Sequence, residues 1–287
     1  MSLIDWAIVS LYCGVLIAVA WIFHRKAGGS VDAYFVADRK LPWWIIGLSD
    51  TAAYTGGGQA FLMVFFLGGF SGFWLMGWVT WVIWMPLVAV VWAKMWRRLG
   101  VVTTGEFIER RYAGRTARVF RNVFAVYACT AWGLTLLAYG AAWMAASLGP
   151  VLGWPGSRVL LVFGAITLAY TLMSGLFGVA YNDALQFVLV VAGNGIFGIL
   201  LLARSGGLSH AWDRIMARRG HEFLNPMPIA GNIGLISLLA LCLQGLFFAG
   251  SPYAGEGWTA QRYMAAKNEL GVRAYGEGTP SVWVWAL

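Results

Sequence analysis

Charge is scarce in this chain. Its 287 residues include 20 Lys and Arg and 12 Asp and Glu, 11% of the total, where an average soluble domain carries about 25%. A mostly water-exposed globular surface is thereby excluded. Histidine and cysteine are rarer still. His24, His210 and His221 fall in loops without motif partners, which predicts surface positions. Cys13, Cys129 and Cys242 lie inside apolar runs without metal-ligand spacing and read as small buried hydrophobes. The spans hold no paired nucleophile and base, and no His, Asp or Glu ligands at helical spacing, so the sequence reads as no enzyme. The start, MSLIDW, lacks a basic n-region, and no small-residue cleavage pattern interrupts the first apolar run. That predicts an uncleaved leading helix rather than a signal peptide.

What is abundant is hydrocarbon. The chain is 60% hydrophobic, its mean hydropathy is +0.70, and several runs are long enough to cross a bilayer. Many of its 17 tryptophans stand near the ends of those runs, as interfacial belts require. The class is an all-α integral membrane protein.

One run breaks the pattern. Ile45 to Phe70 is long and apolar enough to span, yet its first half carries Ser49, Asp50, Thr51, Tyr54 and Thr55, then Gly56, Gly57, Gly58 and Gln59. Consecutive glycines weaken a helix because each loses the most backbone entropy on ordering. An acid and an amide at membrane depth are costly unless they face protein, water or an ion. Backbone can leave the helix there only where a polar cavity or protein satisfies its freed groups. A broken helix is expected, with the break near residues 52–59 lining a small-solute and ion site. The competing reading is a helix packed through small residues. The acid, hydroxyls and amide beside the glycines favour the site.

Seven spans are expected: about Ile4–Phe23, Ile45–Phe70, Ser71–Trp96, Val119–Leu148, Val159–Met173, Val179–Ala203 and Gly231–Ala249. Pro150 and Pro155 predict a turn, and Ser174 to Gly178 a short loop. Asn182, Asp183 and Gln186 fall in the first turns of the sixth span, where capping is the favoured role. The seventh span breaks again at Gly250 to Gly257, and Trp258–Lys267 reads as helix. Orientation follows from charge. Fifteen of the 20 Lys and Arg, from Arg25 to Arg121 and from Arg262 to Arg273, fall on one side; Arg158, Arg204, Arg214, Arg218 and Arg219 fall on the other. The positive-inside rule then puts the N-terminus outside and the C-terminus in the cytoplasm of a multi-pass cell-membrane protein. Eight basic residues lie between Lys94 and Arg121. Because they sit between two spans, they favour a cytoplasmic anchor on the anionic lipid bilayer, not nucleic acid.

Three motifs stand in order on these spans. Asp32-Ala33-Tyr34-Phe35-Val36-Ala37-Asp38-Arg39-Lys40-Leu41-Pro42-Trp43-Trp44 precedes the first broken helix. Tyr170-Thr171 with Ser174, Gly175, Leu176, Val179, Asp183 and Gln186 joins the fifth and sixth spans. Glu256 and Trp258 with Gln261-Arg262-Tyr263-Met264-Ala265-Ala266-Lys267 follows the second break. Together, from about residue 4 to 270, they resemble the sodium:solute symporter family, with Ser174 where many members have the first of two glycines.

The resemblance implies the inverted-repeat, leucine-transporter-like fold: a leading helix and two five-helix repeats, the first helix of each repeat broken. It implies Na+ as the coupling ion, held by the backbone carbonyls of Ala52 and Thr55 with hydroxyls from a later helix. Gln59 falls where sugar-carrying members place a substrate-contacting amide. Tyr54 and Gly58 occupy positions where other members carry polar or acidic residues, and Tyr54 is counted with the substrate site. Asp50 has two readings, an ion or proton role and a buried structural partner. Glu256 likewise reads as a substrate contact or as an interfacial acid facing water. The implied solute is a small organic molecule such as a sugar, amino acid or carboxylate. Alternatives are a membrane sensor or input domain of the same fold and a helix-bundle partner subunit. Residues 1–270 are expected to form a single transmembrane domain with seven transmembrane helices, two of them broken. Residues 271–287 are expected to be an atypical tail, as of a truncated or frameshifted reading frame. On that expectation the fold is incomplete, and the chain cannot transport alone unless a second chain completes the bundle.

Overall fold

A computed structural model describes residues 2–53, 93–220, 236, 239–240 and 257–267. Among them the architecture is helical, and the one β feature is an isolated bridge.

Helix α1, Leu3–Ala27, starts at a capping box. Ser2 Oγ accepts from the Asp5 N–H, and the Asp5 carboxylate accepts from the Ser2 N–H at 2.7 Å. It ends with His24, Arg25 and Lys26, which suit its negative pole. A short helix, α2 (Val31–Val36), is capped by Ser30. A tight turn, Ala37–Arg39, follows, and all three of its residues have positive φ: 49°, 49° and 57°. Such backbone costs L-residues energy and persists only when its surroundings hold it. Here Ala37 is fully buried, and Arg39 Nη2 donates to the carbonyls of Gly100 at 2.9 Å and Val101 at 3.3 Å. The turn aims the chain into α3, residues 43–53.

After α4 (Ala93–Leu99) comes α5 (Thr104–Arg111), which Thr103 caps through the Glu106 N–H at 3.3 Å. The basic stretch between Lys94 and Arg121 is divided among several helices, since Tyr112 and Ala113 are extended and end α5 before α6 (Gly114–Tyr127). A π-helical turn, Ala128–Gly133, then joins α6 to α7 (Leu134–Leu152). Pro150 marks no turn; it lies inside α7, and the chain turns at Gly153 with φ 68°. Pro155 instead caps α8, Gly156–Ser205.

Helix α8 is two spans joined at a kink, where the short loop is expected. Gly175 has φ 51° and ψ −154°, a conformation essentially reserved for glycine. A Cβ there would fall 2.6 Å from the Tyr34 carbonyl oxygen. Ser174 has no vacant role where a glycine is usual. It is fully buried, and its hydroxyl donates to the Tyr170 carbonyl at 2.7 Å. Helix α9, Leu208–Arg219, follows a Gly206-Gly207 turn, and α10 is Gly257–Met264.

Three helices, Leu3–Ala27, Gly114–Leu152 and Gly156–Ser205, are long and apolar enough to cross a membrane. With α8 bent at Gly175 they account for the expected spans 1, 4, 5 and 6. Their outer faces suit lipid. Leu137, Leu161 and Ile199 are each more than two-thirds exposed, and the exposed hydroxyls of Thr130, Thr135 and Thr167 donate to carbonyls one turn back. Trp6 and Trp154 pack 5.5 Å apart near one end of the spans, with Arg158 over Trp154. Trp21 marks the other end of α1. Cys129, on a span, is exposed, which corrects the expectation of a buried cysteine there; Cys13 is half-buried, and Cys242 lies outside the described residues.

Candidate functional site

The principal core gathers α3, α4, α10 and the second arm of α8. Ile45 and Ile46 from α3, Trp96 from α4, Ala180 and Ala184 from α8 and Tyr263 and Met264 from α10 close on one another. Backbone then ties α10 to the start of α3. The Leu41 N–H donates to the Ala265 carbonyl at 3.1 Å, and the Lys267 N–H donates to the Leu41 carbonyl at 3.0 Å. Residues 265–267 thus leave the helix in a turn and a single bridge, which corrects the expected end of that helix. Arg97 Nε donates to the Ala266 carbonyl at 2.7 Å, and Gln261 Nε2 donates to the Phe35 carbonyl.

Inside this frame sits a polar junction. Arg262 Nε donates to Ser49 Oγ at 2.8 Å, and Ser49 donates onward to Asp183 Oδ2 at 2.6 Å. Arg262 Nη2 closes the triangle on the same Asp183 oxygen at 2.8 Å. Ser49 is fully buried, and the Arg262 and Asp183 side chains are 8% and 15% exposed. A buried carboxylate and guanidinium tolerate low dielectric because each neutralises the other and the hydroxyl satisfies both. Asp183 is therefore no helix cap. It is the α8 partner of an ion pair linking three helices. Asn182 beside it is fully buried, its amide reaching toward the Leu16 carbonyl at 3.4 Å. Gln186, one turn on, is half-buried.

Of the sequence-predicted site residues, two are described. Asp50 is 3% exposed, next to Ser49 in α3. Ala52 is half-buried one turn from the junction, and α3 is helical through Ala53. Thr51 Oγ1 donates to the Gly47 carbonyl at 2.8 Å. Tyr54, Thr55, Gln59 and Glu256 lie outside the described residues, as do the expected breaks beyond Ala53 and at 250–256, most of the second, third and seventh spans, and the tail from 271. Sequence reading missed Arg262 and Ser49 as site neighbours. In the sequence, Arg262 counts toward orientation and toward the third motif, but not toward a site. Opposite charges on two elements of an apolar chain were the available signal, because an intramembrane acid needs a partner.

With these helices placed, the comparisons are decisive. The sequence pattern of the Sodium:solute symporter family matches residues 34–283. The chain belongs to that family. The family is one of transporters and not of enzymes, and this chain is a multi-pass membrane protein. It is 32% identical over 195 residues to Sodium/glucose cotransporter 4 of Danio rerio, covering 66% of this chain and 28% of that one. With Sodium/glucose cotransporter 2 of Rattus norvegicus it shares 25% identity over 232 residues, 80% of this chain and 34% of the relative. The chain thus spans about a third of the length of these relatives. A solved structure of a substrate-bound, outward-open Na+-coupled sialic acid symporter superposes with a TM-score of 0.78 at 17% identity. The match covers 99% of this chain and 60% of that one. The fold is the inverted-repeat transporter fold expected from the sequence.

Proposed function

We propose that this chain is part of a sodium-coupled symporter of a small organic solute, with sugar the first candidate. The carrying observation is the meeting of α3 and α10, the two helices adjoining the expected breaks, at one buried polar junction with α8. In this fold such helices flank the midplane site, where unwound carbonyls hold cations and helix ends face substrate. Sodium would take the carbonyls of Ala52 and Thr55. Asp50, Tyr54, Gln59 and Glu256 would line the solute path. Sugar is favoured because relatives similar to this chain are named for sodium/glucose cotransport.

The sensor reading has no observation in its favour. The basic junction, with Arg39, Arg97 and Arg262, would face the cytoplasm and the N-terminus the outside. A cysteine at His210 should then label from outside the cell, and one at Arg115 only after permeabilisation; the reverse pattern overturns the orientation.

Sodium binding is tested by thermal denaturation of the purified chain in Na+ against equal K+, with and without glucose, mannose, proline or a carboxylate. Selective stabilisation by Na+, deepened by one solute, is expected. Equal curves in the two cations would sink the proposal. Because the fold uses two five-helix repeats and this chain spans about a third of the length of its relatives, we propose that gradient-driven uptake in liposomes needs a second chain, and uptake by this chain alone would refute that part.

A further inference from the structure

The arginines between Lys94 and Arg121 divide into two sets. Arg97 and Arg110 donate to the carbonyls of Ala266 and Leu99, and Arg121 pairs with Glu109 at 2.8 Å. These hold protein to protein. Arg111, Arg115 and Arg118 are exposed, with no hydrogen bond or ion pair among the described residues.

The geometry of α6 gives the second set a purpose. At about 100° per residue, Ala117, Arg121 and Phe124 form its inner side, and Ala117 is buried. The rest of the circumference has two exposed flanks. Arg115 and Arg118 stand on one. Val119, Val123 and Val126, each more than half exposed, occupy the adjoining one. A wholly aqueous helix would not leave that valine flank bare, and a wholly lipid-embedded one would not carry the arginines. A helix at the bilayer interface satisfies both, with its apolar flank in the acyl boundary and its long basic side chains reaching the headgroups. Continuity supports this placement. Through the π-helical turn, α6 runs directly into α7, and Gly114–Leu152 is apolar enough to span but far longer than the roughly 20 residues a crossing needs.

We infer that α6 is an interfacial helix whose Arg115 and Arg118, with Arg111 at the end of α5, bind the phosphate of anionic phospholipid headgroups. Two planar guanidiniums one turn apart present paired donors to phosphate oxygens. The site belongs to the membrane surface, apart from the solute path.

The test titrates phosphatidylglycerol, phosphatidylcholine or inorganic phosphate into the purified 287-residue chain in neutral detergent and follows bound lipid by native mass spectrometry. Phosphatidylglycerol should bind in preference to phosphatidylcholine. Arg115→Gln and Arg118→Gln should each weaken it about fivefold. Arg110→Gln should lower stability equally in every lipid and leave lipid affinity unchanged. Unchanged binding in the double variant overturns the inference, as does displacement of lipid by millimolar phosphate, which would mark a soluble-anion site. A second readout needs no arginine variant. Nitroxides at Val119 and Val123 in phosphatidylglycerol nanodiscs should collide with oxygen and be shielded from a water-soluble nickel chelate. Equal nickel access at Val123 and Thr116 would place the helix in water and refute it.

Discussion

The junction around Arg262 and the span Gly114–Leu152 are built on opposite principles. At the junction, side chains from α3, α8 and α10 bury one another, and every strong contact is polar or backbone. Along Gly114–Leu152 none of the most apolar window is buried within the protein, and the exposed threonines bond only to their own helix. Among the described residues, one region is closed by protein, and the other leaves its apolar face open. Charge is permitted in the first because it is answered, and substitution should be tolerated in the second because a lipid tail fits almost any apolar outline.

Breaking the junction should therefore cost most. Arg262→Ala leaves the Asp183 carboxylate buried without its guanidinium, an expected loss of about 3–5 kcal/mol. Reversible unfolding in bicelles measures it, and Asp183→Asn with Arg262→Gln should recover much of it. No recovery would mean that the pair acts separately. Next comes Gly175→Ala, where glycine-only backbone meets the Tyr34 carbonyl. Strain alone is about 1–3 kcal/mol, and the same assay should show at least that. Thr103→Ala removes a helix cap on the rim of the junction, about 1 kcal/mol by the same unfolding assay. At the far end of the scale, Leu137→Ala and Leu161→Ala on the lipid face should stay within about 0.5 kcal/mol. A larger loss there would reveal a protein partner on that face and dissolve the contrast.

The same contrast explains what could be read from sequence. The lipid-facing spans were legible because their signal is local: a long run of Leu, Ile and Val announces itself, and the turn at 174–178 appears as the kink at Gly175. The junction was not. Asp183 lies early in its span and so resembles a cap, while Arg262 lies on a basic side and so resembles an orientation signal. Their meaning comes from each other, 79 residues apart, and from Ser49, 213 residues before Arg262. Pro150 misled for a related reason. In the last turn of α7 it withholds one backbone donor and crowds the carbonyl four residues back, yet the helix runs two residues further before stopping at Gly153. Nothing in the local pattern distinguishes that from a turn. The paired cap at Ser2 and Asp5 is strictly local, three residues apart at the start of the first span.

Those separations also set a clock for synthesis. A chain grows at about 5–20 residues per second, so Asp183 reaches the membrane about 4–16 s before Arg262 exists. For that interval the carboxylate must remain protonated, hydrated or sheltered by the insertion machinery, and Ser49 and α3 wait longer still. The guanidinium that finally neutralises it arrives on the same short helix that closes the backbone bridge to Leu41. Docking of α10 thus neutralises the acid and fastens the earlier helices in one late event, and a nascent chain halted before Arg262 would hold an unpaired acid within an apolar bundle.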